Sequence, residues 1–252
     1  MDEAAGAGRG DGRGISRSGE SQHLQEVLDL VEAIACRDEV DVESVLRSIN
    51  DVNVRFVPGA LHAGITMLDR SGAISSVGAT HTHPRLLDDV QRETNEGPCL
   101  SAASTGHTIR IDDLATEQRW PHFTAEALPR TSVRSVLSFR LFHAKSLLAA
   151  LNFYAPSTGV FSEDSLEHGL IASAHTVLAW NVLRRERQFR DAVASRDVIG
   201  QAKGILMERY GITAFGAFDL LKQLSQDSNT RLIDVAGQVV ARDDQERPPT
   251  VA

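Results

Sequence analysis

The sequence predicts an α+β chain: an antiparallel sheet domain with flanking helices, joined by a long helix to a small bundle of three helices. Three observations carry this. Residues 133–142 and 147–154 read as a strand pair, with Leu137, Phe139 and Leu141 alternating against Ser138, Arg140 and Phe142. From about Ser165 to Tyr210 nothing breaks a helical pattern, a run far beyond the ~8–20 residues of an ordinary globular helix. From Ser195 to Val240, apolar residues recur at helical spacing in three runs parted by turn formers.

Composition narrows the classes. The 252 residues suit one or two domains, and 42% hydrophobic residues can build real cores. No apolar run reaches the ~18 residues of a membrane span, and no apolar stretch follows the first basic residues as in a signal peptide. Cys36 and Cys99 lie far apart and form no metal pattern, which suits a reduced, cytoplasmic setting. The net charge is −8. Arg184–Arg242 holds ten Lys/Arg and seven Asp/Glu, a net of +3, which leaves −11 for the rest. An acidic body with a basic end fits a sensor joined to a nucleic-acid module.

In order, residues 1–19 carry six glycines and no apolar pattern, and read as a disordered tail. Leu24, Val27, Leu28, Val31 and Ile34 mark one helix. Asp41 can cap a second, with Val42, Val45, Leu46, Ile49 and Val52 on one face. Residues 60–68 and 73–80 read as a hairpin about Asp69-Arg70-Ser71-Gly72. Leu86, Leu87 and Val90 give a helix. Asn95-Glu96-Gly97-Pro98-Cys99 reads as loop, because Gly-Pro breaks both helix and strand. A short strand at 108–111 and a short helix from Arg119-Trp120-Pro121 through Leu128 precede the strand pair, whose turn holds Lys145. Ser162 can cap the long helix. Gly211 can end it, and Thr213 can cap the next, with Phe215, Phe218, Leu221 and Leu224 buried. Asp227-Ser228-Asn229 is a turn, and Leu232, Val235, Ala236 and Val239 line a third helix. The three helices should fall in length. Gly200 and Gly204 suggest a face where another helix backbone comes close.

The C-terminal stretch resembles the ANTAR domain, the RNA-binding output module of bacterial transcription antitermination regulators. Arg196, Ile199, Ala202-Lys203-Gly204, Leu206-Met207, Ala217-Phe218, Leu221 and the run from Asn229 to Ala236 carry the resemblance; Ile233 stands where the family often has a basic residue. Residues 22–184 resemble the GAF family of sensing domains through Glu96-Gly97-Pro98-Cys99, Ile111-Asp112-Asp113-Leu114, Arg119-Trp120-Pro121, Ser135–Phe139 and Ala150–Tyr154. The order resembles the GAF–ANTAR regulators of actinobacteria. The expected division is a tail at 1–19, a GAF-like domain at 20–184, an ANTAR domain with an N-terminal coiled-coil segment at 185–242, and a tail at 243–252. The resemblance implies a dimer that binds paired hairpin loops in nascent RNA and prevents a terminator from forming, with no covalent chemistry.

Arg196, Lys203, Arg209 and Arg231 are the candidate phosphate contacts, with Asn229 and Thr230 near the third helix start and Tyr210 placed for base stacking. Arg196 and Lys203, seven apart, share a helix face. One heptad register sets Ile171, Leu178, Ala192, Ile199 and Leu206 at one core position and Val182 and Phe189 at the other, so a homodimer through the long helix is expected, although Arg185, His175, Arg196 and Lys203 also fall in the seam. Cys99 is the candidate ligand or redox residue of the sensor. His122 and His143 are weaker candidates for a ligand such as haem. His81 and His83 share a strand face, but no carboxylate or cysteine completes a metal site, so none is expected. No cofactor is evident beyond an unidentified small-molecule ligand of the GAF-like domain. The alternatives are a DNA-binding transcription factor, whose recognition helix would need more Arg, Gln and Asn than the third helix has, or a ligand or redox sensor whose C-terminal helices only dimerise.

Overall fold

The computed structural model describes residues 17–35, 41–144 and 147–246. Most of the N-terminal tail, Cys36, the Lys145 turn and the end of the C-terminal tail lie outside the described residues. The elements are α1 (Arg17–Ala35), α2 (Val42–Phe56), β1 (His62–Asp69), β2 (Ile74–Val77), α3 (Thr82–Thr94), α4 (Pro98–Thr105), β3 (Ile109–Ile111), α5 (Pro121–Arg130), β4 (Ser135–Ala144), β5 (Leu147–Ala155), α6 (Glu163–Tyr210), α7 (Ala214–Asp227) and α8 (Leu232–Glu246). The chain divides into two compact units, Met1–Leu183 and Arg184–Ala252.

In the first unit the strands form one antiparallel sheet in the order β2-β1-β5-β4-β3. Central β5 faces β1 in register from His62–Tyr154 to Asp69–Leu147. Alternation sends Leu151 and Phe153 to one face, where they meet Val45, Ile49 and Phe161 and the first turns of α6. Ala150 and Tyr154 go to the other face, against Leu87, Cys99 and Phe123 of α3, α4 and α5. Helices therefore cover both faces. Burial on both sides explains why Ser138 is as buried as its apolar neighbours in β4.

Local chemistry sets most boundaries as expected. The Asp41 carboxylate accepts the Glu43 amide at the start of α2, and the Thr213 hydroxyl accepts the Gly216 amide at the start of α7. Of the loop expected at 95–99, residues 95–97 are loop and Pro98-Cys99 open α4 instead. Pro98 occupies its first turn, where a missing N–H costs nothing, and Gly97 takes φ 147° ahead of it. His81 and His83 do not lie on a strand: β2 ends at Val77, and His81 caps α3.

The second unit buries Ala202, Leu206, Ala217, Leu221, Val235 and Ala236. The buried face of α7 differs from expectation. Ala217, Leu220 and Leu221 face inward, while Phe215, at 77% exposure, and Phe218 and Leu224 face outward. The third helix, with 15 residues, is no shorter than the second, with 14.

Glycines in α6 divide sharply. A Cβ on Gly169 would stand 2.3 Å from the Phe139 ring, whereas Gly200 and Gly204 have open space around them within the chain. Gly169→Ala should therefore cost about 1–3 kcal/mol by overpacking. Gly200→Ala and Gly204→Ala should each stabilise by up to ~1 kcal/mol. Urea unfolding midpoints of the three variants check this.

Candidate nucleic-acid interface and sensor core

The bundle sorts the sequence-derived candidates by what holds them. Arg209, at the end of α6, pairs with Asp243 of α8 at 3.2 Å. Arg231 precedes α8 and pairs with Asp234 at 2.8 Å, an exposed i,i+3 contact that yields readily to another anion. Arg196 is exposed and Lys203 half-buried on the same face of α6. Tyr210 is 61% exposed. The arrangement thus offers phosphate-binding cations on α6 and before α8, and an uncovered ring at the α6 terminus.

Asn229 serves the helix before it rather than the one after it. It takes φ 49°, its amide donates to Gln226 O at 3.2 Å, and the Thr230 amide donates to Ser225 O at 3.1 Å. This is a Schellman ending for α7. The Thr230 hydroxyl donates to Ser228 O, and the Ser225 hydroxyl donates to Thr230 O. Both residues fix the α7–α8 turn that presents Arg231.

In the sensor unit, Cys99 lies in α4 and is fully buried. Its Sγ is 3.5 Å from the Tyr154 hydroxyl, and its amide donates to Gln91 Oε1. Burial pushes the thiol up to about 12, the reverse of what thiolate chemistry needs. Beside it, Asp88 Oδ1 accepts from Thr66 Oγ1 at 2.6 Å and from Gln91 Nε2 at 2.9 Å, and Thr66 accepts from Asn152 Nδ2. Burial pushes the Asp88 carboxyl up to about 7, against the bonds that favour its charged form. His122 is exposed, 3.9 Å from Glu96; the side chain of His143 is outside the described residues.

The comparisons agree with this division. The GAF domain family matches residues 39–181, more than half of the chain, and the ANTAR domain family matches residues 187–240. The chain belongs to the GAF–ANTAR regulators. GAF and ANTAR domains are regulatory, and together they make a sensor-coupled RNA-binding regulator. No curated protein matches the chain. Similar solved structures include an N-acylhomoserine lactone dependent LuxR family transcription factor, CepR2, from Burkholderia cenocepacia (13% identity, 65% of this chain and 95% of that one, TM-score 0.49). Another is the GAF domain of a phosphoenolpyruvate-protein phosphotransferase from Coxiella burnetii (13%, 68% and 98%, TM-score 0.45). A third is the free methionine-R-sulfoxide reductase of Neisseria meningitidis (15%, 68% and 95%, TM-score 0.42).

The GAF–ANTAR sequence also carries signals that its strongest motifs obscure. The buried set of α3 is Pro84, Leu87, Asp88, Val90 and Gln91, so helical spacing places Asp88 and Gln91 on the apolar face. Phe215 and Phe218 share one face of α7 and Ala217 and Leu221 another, and apolarity alone does not choose between them.

The Asp88 carboxyl makes a pH prediction. Its folded value lies above its unfolded one, so its contribution to stability is complete below about pH 4 and is lost as pH rises through about 7. His23, pushed by burial down to about 4, has the opposite sign: its contribution is complete above 6.5 and is lost as pH falls towards 4. Asp88→Asn should leave stability near pH 4 little changed, raise it at about pH 8, and steepen the remaining histidine-driven rise. The change is up to about 1.4 kcal/mol per pH unit in between. Urea unfolding across this range checks it.

Proposed function

We propose that this chain is a signal-responsive antitermination regulator of the cytoplasm, dimerising through α6 and binding hairpin loops of nascent RNA. The observation that carries the reading is the ANTAR match at 187–240 over a three-helix bundle that leaves Arg196, Lys203 and Tyr210 accessible. The RNA surface is Arg196, Lys203, Tyr210 and Arg231, with Arg209 joining if its pair with Asp243 opens. Competition between RNA structures is the output, and no bond is made or broken. The GAF-like unit, 20–184, supplies the input, and the ANTAR unit, 185–242, the output.

A stripe on α6 supports dimerisation. Leu178, Val182, Phe189 and Val193 are all exposed, Phe189 at 67%, and fall within about 60° of helix arc. Ile199 and Leu206 continue the heptad register but are taken up by the bundle's own core. The seam therefore spans 178–193. Two modest RNA sites held together gain avidity through effective concentration.

Titration of the purified protein with a two-hairpin RNA and a matched duplex DNA across salt tests this. Arg196→Ala and Lys203→Ala should each weaken RNA binding about tenfold and reduce the salt slope by about 0.7 for each phosphate left unneutralised. Phe189→Asp should shift the protein to monomer in sedimentation and remove the advantage of two hairpins over one. Equal, weak, steeply salt-dependent binding to both nucleic acids would overturn the reading.

A further inference from the structure

Three imidazoles meet where the start of β1 abuts the N-terminus of α3. His62 opens the strand, His81 caps the helix, and His83 sits in its first turn. Thr80 ties the two segments together. Its amide donates to the Ala63 carbonyl at 2.9 Å, and the Ala63 amide donates to its hydroxyl at 2.9 Å. Gly64 allows the close approach of α3, because a Cβ there would stand 2.9 Å from Cβ of Pro84. The residues next to these anchors are the histidines. Their ring centroids lie 4.2 Å apart for His62–His81, 4.5 Å for His81–His83 and 5.6 Å for His62–His83. One ring nitrogen from each can be chosen so that all three lie within 4.8 Å of one another.

The chemistry of the cluster is that of ligands. His83 Nε2 lies 3.1 Å from Ser132 Oγ, while its Nδ1 is buried and has no hydrogen-bond partner among the described residues. A buried polar nitrogen left unpaired is costly. One ring nitrogen held by an outer partner and the other left without one is what a metal-bound imidazole needs.

The geometry points to a binding site for a zinc-class divalent cation formed by His62, His81 and His83, with a fourth position open to an exchangeable ligand. Imidazole suits zinc and its first-row neighbours, and three protein ligands with one open position is the form zinc takes where it meets small molecules. Tetrahedral bonds of about 2.0–2.1 Å set the nitrogens about 3.4 Å apart, so the cluster closes by roughly an ångström on binding. His81 is the ring that moves. It is exposed, and it accepts the His83 amide only at 3.3 Å. Metal at either of its nitrogens displaces that bond. The sequence shows His81 and His83 as a pair; the third ligand, His62, comes from the strand 19 positions earlier.

The test uses the full chain without an affinity tag, stripped with chelator and titrated with Co2+ and then Zn2+. One Co2+ per chain, with the intense visible absorption of low-coordinate cobalt and displacement by Zn2+, is expected. His62→Ala and His81→Asn should each weaken binding at least about 100-fold, beyond what loss of an outer-shell partner does. Asn is as good an N-cap as any residue, so His81→Asn keeps the start of α3 while removing the ligand. His107→Ala, an exposed histidine outside the cluster, should bind as the unaltered chain does. No bound cobalt, the weak absorption of octahedral cobalt, or unchanged affinity in both His62→Ala and His81→Asn would overturn the site.

Discussion

Pairing of β5 with β1 and β4 along its whole length is the constraint on which the sensor unit rests. A central antiparallel strand covered on both faces buries polar and apolar side chains alike, and Leu151, Asn152 and Phe153 are all inaccessible. One face is filled by hydrocarbon from α1, α2 and α6. The other has to hold Asn152, Thr66 and, from α3, Asp88. Polar groups there are tolerable chiefly as a connected set, and their donors are connected: Asn152 donates to Thr66, and Thr66 and Gln91 donate to Asp88, while Asn152 Oδ1 has no partner among the described residues. Burial disfavours the charged form of Asp88 and pushes its carboxyl up to about 7, and no cation among the described residues offsets this. The cost is a stability that depends on pH, partly offset by the buried His23.

A second polar chain crosses the helical layer. Asn50 Nδ2 donates to the Gly78 carbonyl, Asn53 Nδ2 donates to Asn50 Oδ1 and Thr176 Oγ1, and His23 Nε2 contacts Asn53 Oδ1. Because an amide oxygen only accepts, His23 carries its proton on Nε2. Its Nδ1 must then accept, so the His175 Nδ1 at 2.7 Å is the donor. The chain of bonds runs from Gly78, two residues before Thr80, to residues 175 and 176 of α6. It is a contiguous route from the neighbourhood of the histidine cluster to the long helix, and breaking a buried link leaves an unpaired group. Contiguity is the physical precondition for coupling rather than coupling itself.

Features decided within a few residues were legible in the sequence. Asp41 and Thr213 cap the helices assigned to them because an N-cap needs only a side-chain oxygen two or three residues ahead of an amide. The long helix was legible because nothing in it competes with helix. The loop at 95–99 misled because Gly-Pro ends one element and also begins another, and only the packing of Cys99 and Ala102 into the second core decides for helix. Asn229 caps α7 from its C-terminal side, a role its position before α8 conceals. The face of α7 and the place of His62 depended on contacts from distant chain, which no local pattern encodes.

The long helix shows how one register serves two purposes. From Leu178 to Phe189 its outward line is apolar at Leu178, Val182 and Phe189 and interrupted by Arg185, and seven and fourteen residues past Phe189 the same line carries Arg196 and Lys203. Two copies packed in parallel along this line would set each cation against its own counterpart. Like charges at coiled-coil core positions repel, and burial would make the repulsion larger. The apolar seam and the basic line are therefore compatible only if the pairing ends before Arg196, or if an anion lies between the two helices. The phosphate backbone of a bound RNA would supply that anion. In the proposed dimer, RNA and pairing would then not compete for the face: the seam would bring two sets of cations together at a cost that the RNA would offset.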